Sequence, residues 1–241
     1  MIGQVSQIFI TDSDESVPGP LEISSNTVKE FSKINNYSYQ LFEKQKIKKL
    51  IRENFDPIVT ETFDALIPYA YKSDLGRYCI LYIKGGWYFD MGIEINSYFS
   101  IDNSINSIFF RDIQKNSQSS WSVSNGMIYS KPQNELFLTA IKMVVDNYRN
   151  KNYGITPLCP TGPTLFGRAI AIHGLTEKNI FGDLMHLTPQ HNIKNTAFVL
   201  PNGIIVAWGK KAEGGDLSAL GVVGANNYNE LWQERKIYRE T

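Results

Sequence analysis

Residues 69–95 read YAYKSDLGRYCILYIKGGWYFDMGIEI, and the fold turns on them: a helix stops at a double glycine and feeds straight into a strand. Pro68 stands where a first-turn proline is tolerated, because its missing N–H has no intrahelical partner to lose. Leu75, Tyr78, Cys79 and Tyr82 recur at helical spacing, so one stripe faces a core. Gly85 and Gly86 end the helix, glycine being free to take the conformation a helix C-terminus requires. Alternation then predicts a strand with Trp87, Phe89, Met91, Ile93 and Ile95 on one face. Tyr88, Asp90, Gly92 and Glu94 share the other, an unusual face for so apolar a strand. Asp74 and Arg77 are neighbours on the helix. On spacing alone they read equally as an exposed ion pair or as part of a site.

Working outward, Val5 to Ile10 reads as a buried strand running into the polar stretch 11–16. Open α/β sheets bind ligands outside the carboxyl ends of such strands. Ser24 or Ser25 can cap a short helix carrying Val28, Phe31 and Ile34. Tyr37 to Phe42 alternates as a second strand. Glu43 to Asn54 is a helix with Ile47, Leu50 and Ile51 inward and its lysines solvated, and Thr60 to Leu66 adds a helical turn after the break at Asp56-Pro57. This strand–helix order implies a mostly parallel sheet with helices packed on it.

Further along, Ser107 to Arg111 and Trp121 to Ser130 read as strands. Asn125-Gly126, inside the second, reads either as a turn or as a hydrogen-bonding group in a site. Glu135 to Tyr148 is amphipathic. Thr161-Gly162-Pro163 opens a helix to about His173, with Thr161 placed to cap it and Pro163 to start it. Phe198 to Val206 is a hairpin turning at Pro201-Asn202-Gly203. The glycine-rich loop after it carries Lys210 and Lys211, read either as a solvated loop or as one that closes over a diphosphate. Asn227 to Tyr238 is a terminal helix.

The chain has 241 residues, with Lys+Arg and Asp+Glu both at 24. A length of this order suits one α/β domain or a domain with a small addition. The balanced charge gives no signal for nucleic acid or an anionic membrane. The isolated cysteines, Cys79 and Cys159, suit a reducing compartment better than a disulfide framework. The start MIGQVSQIFIT lacks a basic region and a long apolar run, and no later run reaches membrane-spanning length. A cytoplasmic protein without a transmembrane segment is expected. The histidines His173, His186 and His191 are too scattered for a metal spacing.

The stretch Ser73-Asp74-x-x-Arg77, Leu81-Tyr82 and Gly85-Gly86-x-Tyr88-x-Asp90 resembles the defining motif of glycosyltransferase family 32, whose relatives include the clostridial toxin glycosyltransferases and yeast mannosyltransferases. The family continues to a second Asp, where this sequence has Gly92. The opening Gln7-Ile8-Phe9 is similar to the family's first strand with Phe9 in place of Trp, and Ser124-Asn125-Gly126 and Thr161-Gly162-Pro163 match more loosely. The resemblance implies a GT-A-like (Rossmann-like) α/β fold over a single domain, 1–241, with a donor-binding part about 1–110 and an acceptor-side part about 111–241.

It also implies transfer of a hexose from a nucleotide-diphosphate sugar (a UDP-sugar before a GDP-sugar) to a glycan or lipid-linked glycan acceptor with retention. Bacterial surface polysaccharide synthesis at the inner face of the cytoplasmic membrane, with peripheral association, is the expected setting. The alternative is a degenerate relative that binds a nucleotide sugar or glycan without turnover. By the resemblance, Asp90, Asp74 and Arg77 carry the chemistry, while Phe9, Tyr88, Asn125, Lys210 and Lys211 join them around the donor, and Tyr82 supports the pocket. Mn²⁺ or Mg²⁺ would be held by Asp90, with Glu94 as the substitute for the missing Asp. Glu94 would then sit about 6.6 Å further along the same strand face.

Overall fold

A computed structural model describes residues 3–11, 16–97, 99–113, 118–187, 196–209 and 227–239. Its strands are β1 (Gln4–Ile8), β2 (Ser38–Phe42), β3 (Gly86–Phe89), β4 (Glu94–Ile95), β5 (Ser107–Arg111), β6 (Val123–Ser130), β7 (Asn179–His186), β8 (Thr196–Val199) and β9 (Ile205–Trp208). Its helices are α1 (Gly19–Ile34), α2 (Lys44–Asn54), α3 (Pro57–Ala65), α4 (Tyr69–Lys84), α5 (Glu135–Arg149), α6 (Pro163–His173) and α7 (Tyr228–Gln233). The strands form one nine-stranded sheet in the order β2-β1-β3-β6-β5-β7-β8-β9-β4. Lys210, Lys211 and His191 lie outside the described residues.

The helix at the centre is buried far beyond one stripe. Tyr71, Lys72, Asp74, Leu75, Arg77, Tyr78 and Cys79 of α4 are all shielded from solvent, because α2, α3, α5 and α7 surround it and the sheet lies beneath. Gly76 lets α2 and β1 come close: a Cβ there would stand 3.0 Å from Ile47 and 3.3 Å from Ile8. Lys72 reaches the end of α3, donating from Nζ to the Phe63 and Asp64 carbonyls, where helix-end oxygens lack partners of their own.

The double glycine works as its sequence predicts. Gly85 takes φ +62° and Gly86 φ +83°. A Cβ on Gly86 would lie 2.1 Å from the Gln4 carbonyl oxygen, so β1 and β3 approach there only because the side chain is missing. Gly86→Ala should therefore destabilise the protein by about 3 kcal/mol or more, the sum of positive-φ strain and overpacking. A urea titration within 1 kcal/mol of the parent would show that the backbone can shift to make room.

Beyond Gly86, Tyr88 faces the core under the helices. Trp87 and Phe89 face the other side, stacked at 5.2 Å and joined by Phe31 of α1 and by Phe99. Alternation stops earlier than the sequence suggests. Asp90 to Ile93 form a turn closed by Ile93 N–H to the Asp90 carbonyl at 3.0 Å. Met91 leaves the strand to pack with Phe9 and Leu21, and Glu94 belongs to β4, a separate strand pairing with β9 at the far edge of the sheet. A turn residue hidden in an apolar alternation is not visible from periodicity.

Three further expectations change. The α/β class with flanking helices holds, but the sheet is mixed, parallel only where β1 meets β2 and β3 and where β5 meets β7. β6 runs antiparallel between β3 and β5. The first helix begins at Gly19, behind Pro18, and Ser24 and Ser25 lie inside it. The terminal helix is only six residues long. Residues 237–239 instead add to the α3–α4 junction, with Ile67 N–H donating to Ile237 and Arg239 N–H to Ala65, each at 2.8 Å. No helix among the described residues is long and apolar enough to cross a membrane.

Candidate active site

Asp74 and Arg77 are not a surface pair. The middle of α4 meets the carboxyl end of β3, and Arg77 is clamped there by four neighbours. Its guanidinium lies 3.2 Å from Asp74 Oδ1 and 3.2 Å from Asp90 Oδ1. Arg77 Nη1 also donates to the Asn125 carbonyl, and the guanidinium stacks 4.6 Å above the Tyr88 ring. Burial works against its charge, but Asp90, Tyr88 and Asp74 outweigh that and hold its pKa above the ordinary arginine value. A planar fork suits this task, because one cation must serve two carboxylates and a carbonyl.

Each acid is fixed in turn. Asp74 accepts from Asn125 Nδ2 at 2.7 Å and from the Thr161 hydroxyl at 2.7 Å. Asp90 Oδ1 accepts from the Tyr88 hydroxyl at 2.9 Å. The Asp90 main chain is pinned by the Gly126 carbonyl at 2.7 Å and by Gln7 Nε2 at 3.3 Å. Gly126 is a glycine for cause, since a Cβ there would stand 3.0 Å from Asp90 Oδ2. Asn125-Gly126 is thus part of β6 and of the site, not a turn. Burial pushes the phenols of Tyr78 and Tyr88 well above their usual range, so both stay protonated as donors.

Residues the sequence assigned elsewhere join this network. Thr161 does not cap α6: the N-cap is Gly162, and the Thr161 hydroxyl goes to Asp74 while its carbonyl accepts from Tyr78 at 2.8 Å. The Thr-Gly-Pro match was the available signal. Gln7 is held by Ser25 and Tyr39, at 2.7 and 2.9 Å, before it reaches Asp90. Tyr228, on α7, packs its ring 5.9 Å from that of Tyr71 on α4, and burial, followed by the charge of Asp74, pushes its phenol up to about 12. Phe9 sits beside Met91 at the end of β1. Tyr82 is at the other end of α4, against Phe55, and takes no part.

The expected metal pair fares less well. Glu94 is not on the Asp90 face but on β4, and Asp90 Oδ1 is engaged by Arg77 and Tyr88. Among the described residues no group of three or more His, Cys, Asp or Glu is placed to hold an ion. These side chains alone do not fit a metal cage; one carboxylate holds Mg²⁺ or Mn²⁺ only with help from substrate phosphates.

Residues 21–109 match the family described as the glycosyltransferase sugar-binding region containing the DXD motif. Over that segment the chain is similar to glycosyltransferases of the family 32 type. The chain is also similar to the uncharacterised glycosyltransferase L373 of Acanthamoeba polyphaga mimivirus, 26% identical over 204 residues, or 80% of this chain and 76% of that one. Among solved structures the PaToxG glycosyltransferase matches 71% of this chain and 69% of its own at a TM-score of 0.54 and 16% identity, a likeness of fold. The sheet and its flanking helices share the GT-A-like fold.

Proposed function

We propose that this glycosyltransferase moves a hexose from a nucleotide-diphosphate sugar, UDP-linked before GDP-linked, to a glycan or lipid-linked glycan, with retention. What carries the reading is the buried clamp of Arg77 between Asp74 and Asp90, built on the family motif at the carboxyl end of β3. Such a clamp presents fixed, charge-assisted acceptors where a donor's ribose and sugar hydroxyls would lie, and its net negative charge leaves the diphosphate to a cation that enters with the nucleotide. Asp74 and Arg77 would orient the sugar, Asp90 the ribose and phosphate side, and Phe9 the base. The chain then reads as one domain with donor groups mainly in about 1–110 and the acceptor side in about 111–241. A cytoplasmic protein acting at the inner membrane face in surface polysaccharide synthesis is the proposed setting.

A divalent ion, when bound, supplies charge to offset that of the departing diphosphate. Because Gly92 removes one ligand of the family pattern, the ion should enter only together with the nucleotide. Titration calorimetry of UDP- and GDP-hexoses, with and without Mn²⁺, tests this. Nucleotide sugar should bind, Mn²⁺ alone should bind weakly, and Mn²⁺ should tighten nucleotide binding. No heat with any nucleotide would end the transferase reading. Binding without turnover on any glycan acceptor would favour the degenerate relative, for which Gly92 is the motivating residue.

A further inference from the structure

β3 and β5 both run antiparallel to β6, so they are parallel to one another and end at the same edge of the sheet. The first residue after β3 is Asp90; the first after β5 is Asp112. Only one strand stands between them, a lateral separation of about 10 Å. Asp112 is tied down by its N–H to the Ser122 carbonyl at 2.9 Å, and Asp90 by its N–H to Gly126 on the same strand. Asp112 therefore lies further out along β6, beyond the buried clamp.

A cavity of about 420 Å³ opens there, lined among others by Arg111, Asp112, Ser120, Asp183, Met185 and His186. Its size is within the range of small-molecule sites. Arg111 forks Asp183 through Nε and Nη2, at 2.7 and 2.9 Å, with both side chains open to solvent. That cation is spent on Asp183, and Asp112 adds a further acid, so the pocket is a poor host for a second phosphate or nucleotide. A neutral, hydroxyl-rich ligand suits it. Carboxylates and a guanidinium fork bind vicinal hydroxyls well, charge-assisted hydrogen bonds being the strong ones. Burial holds the Asp112 carboxyl up at about 6, which makes it a good acceptor for a hydroxyl proton.

The pocket is bordered by apolar surface. Met185 and Leu187 are exposed, and Trp121, next in the chain to Ser120, is half exposed. The Trp121 backbone has firm footing, because its carbonyl lies where a Cβ on Gly167 of α6 would come within 1.8 Å. An exposed indole on a rigid support, beside hydroxyl-binding groups, is the pairing a sugar ring needs: polar edge to the acids, C–H face to the aromatic.

We propose that this pocket is the acceptor subsite, taking a neutral saccharide whose hydroxyls meet Asp112, Ser120 and the Arg111–Asp183 pair and whose apolar face rests on Trp121 and Met185. The proposal rests on the transferase reading above. Saturation-transfer NMR on the full chain with methyl hexopyranosides of gluco, galacto and manno configuration, each anomer, tests it with and without saturating UDP. At least one glycoside should respond and keep responding when UDP is bound. Asp112→Asn and Trp121→Ala should each weaken that glycoside roughly 10-fold or more, with melting curves recorded to confirm folding.

Displacement of the glycoside by UDP, or undiminished binding in both variants, would overturn the subsite. So would transfer onto a polypeptide hydroxyl with no glycoside response. Glycoside binding with no nucleotide binding would overturn the transferase reading while supporting a saccharide pocket.

Discussion

Replacing Asp90 by asparagine should lower glycosyl transfer roughly 100- to 1,000-fold, the scale seen when a group that meets developing charge is removed, while leaving the protein folded. Asparagine keeps the shape and the Oδ1 acceptor that takes the Tyr88 hydroxyl. The main chain keeps its bonds to Gly126 and Gln7. Only charge is lost, and Arg77 retains Asp74 as counter-ion. Destabilisation should therefore stay at the level of one charge-assisted bond, about 1.5–3 kcal/mol. Nucleotide release in a coupled assay, read beside a calorimetric melt, separates the two effects. Parental turnover in a folded Asp90→Asn protein would take Asp90 out of the site.

Arg77 should behave differently, because it braces the clamp as well as meeting the donor in the proposed function. Arg77→Ala leaves Asp74 and Asp90 facing each other in a buried space, and breaking a buried pair costs about 3–5 kcal/mol. For a chain of this size that is a fall in melting temperature of roughly 6–20 °C. A donor-binding role for this residue had implied a larger loss of turnover than of stability. The clamp reverses that expectation, since an exposed helix pair would contribute under 1 kcal/mol or so. Arg77→Lys is the informative partner. It keeps the charge but cannot fork between two carboxylates and the Asn125 carbonyl, so the fold should survive while nucleotide-sugar affinity drops roughly 10- to 100-fold. An alanine variant that melts like the parent would show the acids are solvated, and a lysine variant with full affinity would show that the fork is unnecessary.

Much of the Arg77 clamp was legible because its residues sit on one short helix–glycine–strand unit. Helical period, the glycine stop and the start of the alternation all express local backbone preference. The motif also named Asp74, Arg77, Tyr88 and Asp90, which the structure brings into contact. What stayed hidden depends on tertiary contact. The turn at Asp90–Ile93 interrupts an apolar alternation that looks continuous, and so Glu94 was assigned to a face it does not share. Thr161 reads as a cap because its true partner, Asp74, is 87 residues away. The mixed pairing of β6 between two parallel neighbours leaves no local trace at all. Asp112 carries only a faint signal, a charged pair just where a strand runs out.

The insertion of β6 between β3 and β5 has a consequence for how the chain acquires its site. β3 has its carboxyl-end partners on β6, with Phe89 opposite Met127, and Arg77 meets the Asn125 carbonyl across 48 positions. Helix, glycine stop and first strands can organise locally, but the charges stay hydrated until the later strand arrives. Contacts of such long sequence separation slow a folding reaction, since loop closure comes before any gain. Desolvation of Asp74, Arg77 and Asp90 is thus a late event. During synthesis the matched segment 21–109 would leave the ribosome with its ionic groups still wet. They become one dry network only after residues 123–130 have slotted into the sheet.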